Sequence, residues 1–161
     1  MKGYDAHFII KQAGNHFKNV DCIPLNSEKY ITFNLDELSF MDSCQFMASS
    51  LDSLSTNLKK GGLDNFKECK KIFNDNDKLD LITSKGVYPY DYMDCFDKFK
   101  LTSLPTQNEF SNLLKEDELP IEAYNHANNI WNKFKINNIG EYHDLYLLSD
   151  VLILSDVCEK G

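Results

Sequence analysis

The sequence predicts an α+β domain, several helices beside a patch of three antiparallel strands. Three observations lead there. Between Val20 and Asp42, β-forming residues alternate or cluster in three short runs parted by turn residues. After Ser43 the apolar spacing lengthens to that of helices, and the final third keeps it. The length, 161 residues, suits one domain, and 42% hydrophobic with 12% aromatic residues supplies a packed core.

Taken in order, Tyr4 to Lys11 reads as a short helix stopping near Gly14-Asn15, with Asp5 at its start. Cys22-Ile-Pro-Leu25, Tyr30-Ile-Thr-Phe-Asn-Leu35 and Leu38-Ser-Phe-Met41 read as strands, separated by Asn26-Ser27-Glu28 and Asp36-Glu37. Phe46, Leu51, Leu54 and Leu58 then mark a helix ended by Lys59-Lys60-Gly61-Gly62. Leu63 to Phe73 predicts a second amphipathic helix, and Asn74 to Asp77 a loop. An irregular aromatic segment, Gly86-Val-Tyr-Pro-Tyr-Asp-Tyr-Met-Asp-Cys-Phe96, follows. Three helices close the chain: Gln107 to Lys115, Ile121 to Phe134 after Pro120, and Glu141 to Cys158. Three short strands cannot cover all these helices, so either they are the edge of a larger sheet or the fold is mostly α.

Charge narrows the function classes. A formal net charge of −8 argues against a protein drawn to nucleic acid by a basic surface, since Lys and Arg dominate phosphate binding. An acidic site acting on DNA through bound cations is still compatible with it. The five cysteines show no C-x-x-C and an odd count, which predicts reduced thiols in an intracellular protein. The four histidines do not pair with them at zinc spacing. No apolar run nears the roughly 20 residues of a membrane span, and residues 1–5 carry no signal-peptide pattern.

The chemistry concentrates in the last helix, where Tyr146 and Asp150 stand four residues apart and therefore on one face. Leu145, Leu148, Val151, Leu152 and Leu154 flank them and are expected to pin the helix to a core. A held carboxylate can ligate a hard cation, while a phenol orients the attacking water or the phosphate, as in metal-assisted hydrolysis. The competing reading is a solvated edge of a core helix.

Five segments in order, Gly3-Tyr-Asp-Ala-His-Phe-Ile-Ile10, Asn26-Ser-Glu-Lys-Tyr-Ile-Thr-Phe33, Phe40 to Leu51, Lys85-Gly-Val-Tyr-Pro-Tyr-Asp-Tyr-Met-Asp94 and Glu141 to Asp150, resemble the 3′ to 5′ exonuclease domain of protein-primed type-B DNA polymerases. Such polymerases serve linear plasmids, some viruses and Polinton-type transposons. The resemblance implies an α/β, RNase H-like fold and a two-metal site using Mg²⁺ or Mn²⁺. It implies that residues 1–161 are a partial exonuclease domain, running from the second to the third exonuclease motif, with the polymerase palm absent. Tyr4 would lie beside the terminal base, Asp5 and Asp150 would be metal ligands, and Tyr146 would orient water. A Ser/Thr-Leu-x-x-hydrophobic element that touches the strand is matched by Ser50-Leu51-Asp52-Ser53-Leu54. The implied partners are the 3′ end of single-stranded DNA and, for the parent polymerase, a terminal protein primer; the implied location is the nucleus or a viral or mobile-element replication site.

Three departures bear on activity. The first motif, Asp-x-Glu on a central strand, and the Asn of the second would both fall before Met1. A family lysine in a Lys-x-x-hydrophobic setting corresponds to Gln107-Asn-Glu-Phe110, an amide in place of a cation. The expectation is therefore a segment inactive or nearly so on its own, with helix faces left exposed where the central strands would pack. The alternatives are a non-catalytic mobile-element remnant serving as an interaction or structural module, and a different nuclease using Asp5, Asp150 and Asp42 or Asp144.

Overall fold

In a computed structural model describing residues 11–12, 16, 18–26, 29–41, 50–110 and 119–160, the β-forming runs become one antiparallel sheet and most of the later periodic segments become helices. The chain divides into two compact units, Met1–Ser50 and Leu51–Gly161. The fold is α+β at this level.

The first unit holds strands β1 (Val20–Asn26), β2 (Lys29–Leu35) and β3 (Leu38–Met41), in the order β1-β2-β3. The predicted strands are all present, and β1 begins two residues early. Its register with β2 runs from Val20 opposite Leu35 to Ile23 opposite Thr32 and shifts at Pro24, which has no N–H to give the ladder. Asp36 makes the tight β2–β3 turn in the left-handed region at φ 50°, where a short polar side chain is tolerated. Its carboxylate accepts from the Asn19 amide at 2.9 Å. Opposed residues Phe33 and Phe40 stack at 4.7 Å, and Phe33 and Leu35 are buried on one sheet face. Of the predicted helix Tyr4 to Lys11, only helical Lys11 lies within the described residues.

The second unit holds α1 (Leu51–Lys60), α2 (Lys67–Ile72), α3 (Asn76–Ile82), α4 (Gln107–Phe110), α5 (Ile121–Lys133) and α6 (Ile139–Lys160), with 3-10 turns at Leu63–Asn65 and Phe96–Lys100. Gly62, at φ 102°, reverses the chain after α1 in a conformation L side chains rarely adopt. Two corrections to the predicted elements follow. The single helix expected from Leu63 to Phe73 breaks at Phe66, because the first amides of α2 are taken by Asp156 of α6: Glu68 N–H and Cys69 N–H donate to its carboxylate at 2.7 and 3.0 Å. The loop expected at Asn74 to Asp77 opens α3 instead, with the Asp75 carboxylate accepting from Asp77 N–H at 2.8 Å as an N-cap.

α6 packs against α1, α2 and the Phe96–Lys100 turn, and α3 packs against α5. One core cluster joins Phe66, Cys69, Phe73, Leu79, Ile82 and Ile153; a second joins Phe110, Ala127, Ile130, Ile136 and Tyr142. Phe134 and Leu145 touch both. α5 ends in a Schellman turn: Lys135 sits at φ 51°, Ile136 N–H donates to Trp131 O and Lys135 N–H to Asn132 O. Asn138 then caps α6 by accepting from Glu141 N–H at 2.9 Å, while Glu141 reaches back to Asn137 N–H at 2.8 Å. These two devices fix where α6 starts and how it is aimed.

Candidate functional site

Tyr146 and Asp150 lie on one flank of α6, and residues 86–90 hold the tyrosine there. Tyr90 O–H donates to the Tyr146 hydroxyl at 3.3 Å, with the two rings edge to face. The Tyr88 ring lies 5.2 Å from that of Tyr146 and shares a 2.7 Å hydrogen bond with His143 Nδ1. One turn earlier in α6, buried Tyr142 donates to Val87 O at 2.7 Å, which ties the segment to the helix. Gly86 completes the seat: a Cβ there would stand 3.2 Å from Tyr146 Cε2, so a side chain would press on the ring.

Burial, foremost, and the charge of Asp150 push the Tyr146 pKa well above the ordinary tyrosine value. The phenol is thus neutral at physiological pH. Since it accepts from Tyr90, its own proton is free to be donated to a phosphate oxygen or a water. Asp150 is exposed as a residue, but the flank of the helix desolvates its carboxyl enough to raise its pKa, and no Lys or Arg among the described residues bridges it.

The expected apolar stripe divides. Leu145 and Leu152 pack on the core beside Ile153, and Leu154 is half-buried, whereas Leu148 and Val151 are exposed, as is Leu147. The helix is apolar on most sides and can turn only one arc inward. The buried Asp156 and Tyr142, with their partners on α2 and Val87, select that arc.

Tyr4, Asp5 and Asp42 lie outside the described residues. Ser50 is exposed in the first unit. Leu51 opens α1, half-buried against the Phe66 and Leu79 cluster. Asp144 is exposed. The Gln107 amide donates to Leu119 O at 2.6 Å, so it joins the chain on either side of residues 111–118. Glu109 accepts from Thr106 N–H and O–H at 2.8 Å each, the glutamate half of a capping box at α4.

Among the described residues no group of three or more His, Cys, Asp or Glu side chains is placed to hold a metal ion. Asp150 alone does not make a divalent-cation site, which takes several oxygen ligands. Sequence reasoning named Tyr146 and Asp150 and missed Tyr88, Tyr90 and His143. For Tyr88 and Tyr90 the signal was the density of aromatics in Gly86–Phe96, without a helical or strand period to say where they point; for His143 it was the helical spacing to Tyr146, three residues on. An open hollow of about 570 Å³ lined by Asp77, Asp80, Asn129, Asn132 and Lys133 lies on α3 and α5, away from this pair's element. No helix among the described residues is long and apolar enough to cross a membrane. Compared with known proteins, the chain matches no protein-family model, no curated protein and no solved structure.

Proposed function

We propose that the chain is a segment of the RNase H-like 3′ to 5′ exonuclease domain of a protein-primed type-B DNA polymerase, acting on the 3′ end of single-stranded DNA. The observation that carries the reading is the seated pair: a neutral phenol oriented by Tyr90, one helical turn from a carboxylate that no cation neutralises among the described residues. In this reading Tyr146 donates to the scissile phosphate or holds the attacking water, and Asp150 contributes an oxygen ligand. Asp5 would be the second ligand to Mg²⁺ or Mn²⁺. The ordered sequence segments, not the pair alone, point to this family over other nucleases.

The purified chain, a 3′-labelled single strand and added Mn²⁺ test the proposal. The expected result is strand binding that Mn²⁺ strengthens in the wild type and not in Asp150→Ala, with little or no shortening. A folded chain, checked by circular dichroism, whose strand binding does not respond to Mn²⁺ overturns it. The exposed Leu147 and Val151 on α6 favour a second reading, a non-catalytic interaction module. That reading predicts a tight protein partner on this face and no strand binding.

A further inference from the structure

Phe96 is 87% exposed on the Phe96–Lys100 turn, and Tyr90 is 66% exposed beside Tyr146. Single exposed apolar residues are ordinary, but these two are the ends of one continuous run of rings. Phe96 lies 6.2 Å from Phe99, Phe99 5.0 Å from His143, His143 5.3 Å from Tyr88, and Tyr88 5.0 and 5.2 Å from Tyr90 and Tyr146. The inner rings are half-buried, so the run is anchored while its ends face water. Its course leads from open solvent to the Tyr146–Asp150 pair.

Resting on the reading just given, we propose that this aromatic strip is a stacking track for the unpaired bases of single-stranded DNA, with Phe96 and Tyr90 each taking a base face. Every base has a π-face, so rings at intervals along a surface bind a strand without reading its sequence. The local charges leave the contact to stacking, since exposed Asp91, Asp94 and Asp97 offset Lys98 and Lys100. Lys98 is engaged with the Tyr92 ring, Tyr92 O and Asp94, and Lys100 pairs with Asp97 in full solvent. An exposed pair of the latter kind is weak, which leaves Lys100 available to about one phosphate. Binding through the strip therefore depends little on salt, with a log–log slope of about −0.7 or shallower, where a phosphate-led surface gives several times that.

The test uses oligothymidylate carrying 5-iododeoxyuridine near its 3′ end, irradiated with the purified chain in the absence of divalent cations. Adducts are mapped by mass spectrometry, and affinity is read by fluorescence anisotropy at several salt concentrations. Adducts on Tyr90 and Phe96 are expected. Phe96→Ala and Tyr90→Ala each weaken binding about 5- to 100-fold, the range for one base–aromatic stack. Both aromatic positions are exposed, so their alanine variants keep the fold, and circular dichroism checks this. Adducts elsewhere, unchanged affinity in both aromatic variants or a steep salt slope overturns the strip and leaves the exonuclease reading standing. Failure of the folded wild type to bind the strand at all overturns both.

Discussion

Asp150 is exposed, yet its carboxyl is partly desolvated, and the pH dependence of stability should report it. Its folded pKa is raised by desolvation above the ordinary 3.8. The folded chain then binds this proton more readily than the unfolded chain, so stability falls as pH rises through 3.8 to the raised value and the penalty is complete above it. Asp150→Asn, which keeps the shape and removes the charge, is expected to melt higher than the wild type at neutral pH. The gain should vanish near pH 3, where both side chains are neutral. Equal melting temperatures at both pH values would mean that the carboxylate is fully hydrated. A site that holds a charge ready for a ligand at some cost in stability behaves as this prediction requires.

Among the elements, α2 depends most on a remote residue. Its six residues are too few to be helical alone, and its free amides are met by Asp156, 88 positions from Glu68. Asp156→Ala leaves the buried Cys69 N–H and the partly buried Glu68 N–H without their acceptor and is expected to cost about 2 kcal/mol, lowering the melting temperature by roughly 5–10 °C. Asp156→Asn, which keeps one acceptor oxygen, should lose less. If thermal melts followed by circular dichroism place Asp156→Ala within a degree of the wild type, α2 is capped by something else. The same bond explains what the sequence conceals. The strands, α1, α5 and α6 are legible because their signals are local: alternation, Gly61-Gly62, Pro120 before Ile121, and a long apolar period. The break at Phe66 has no local signal, since its cause is Asp156, far downstream in α6. The α3 start was legible in principle, for Asp75 is an ordinary N-cap, but the run Asn74-Asp-Asn-Asp77 reads equally well as a loop.

At the scale of the whole molecule, the two core clusters of the second unit share Phe134 and Leu145, so they should open together. Cys69 reports on this. Burial, then the neighbouring Asp156 carboxylate, pushes its thiol pKa far above the ordinary value, and the residue is fully buried. With iodoacetamide under native conditions, the exposed Cys22, Cys95 and Cys158 should be alkylated and Cys69 spared until the unit unfolds. Alkylation of Cys69 as fast as Cys95 would show that the core opens locally. The aromatic seat of Tyr146 shows the limit of sequence reading at this scale. Tyr146 and Asp150 were legible because helical spacing alone puts them on one face, whereas Tyr88 and Tyr90 meet Tyr146 only once α6 has folded back over residues 86–90. That helix also sets an angular constraint. Asp150 and Asp156 lie about 9 Å apart along one rod, and the Asp156 carboxylate, clamped by two amides of α2, acts as a rotational stop. A rotation of the rod by about 10° would sweep a side-chain tip, some 5–6 Å from the axis, through about 1 Å, enough to spoil a reacting geometry. The cap that α6 gives to α2 thus sets the azimuth of the Tyr146–Asp150 pair.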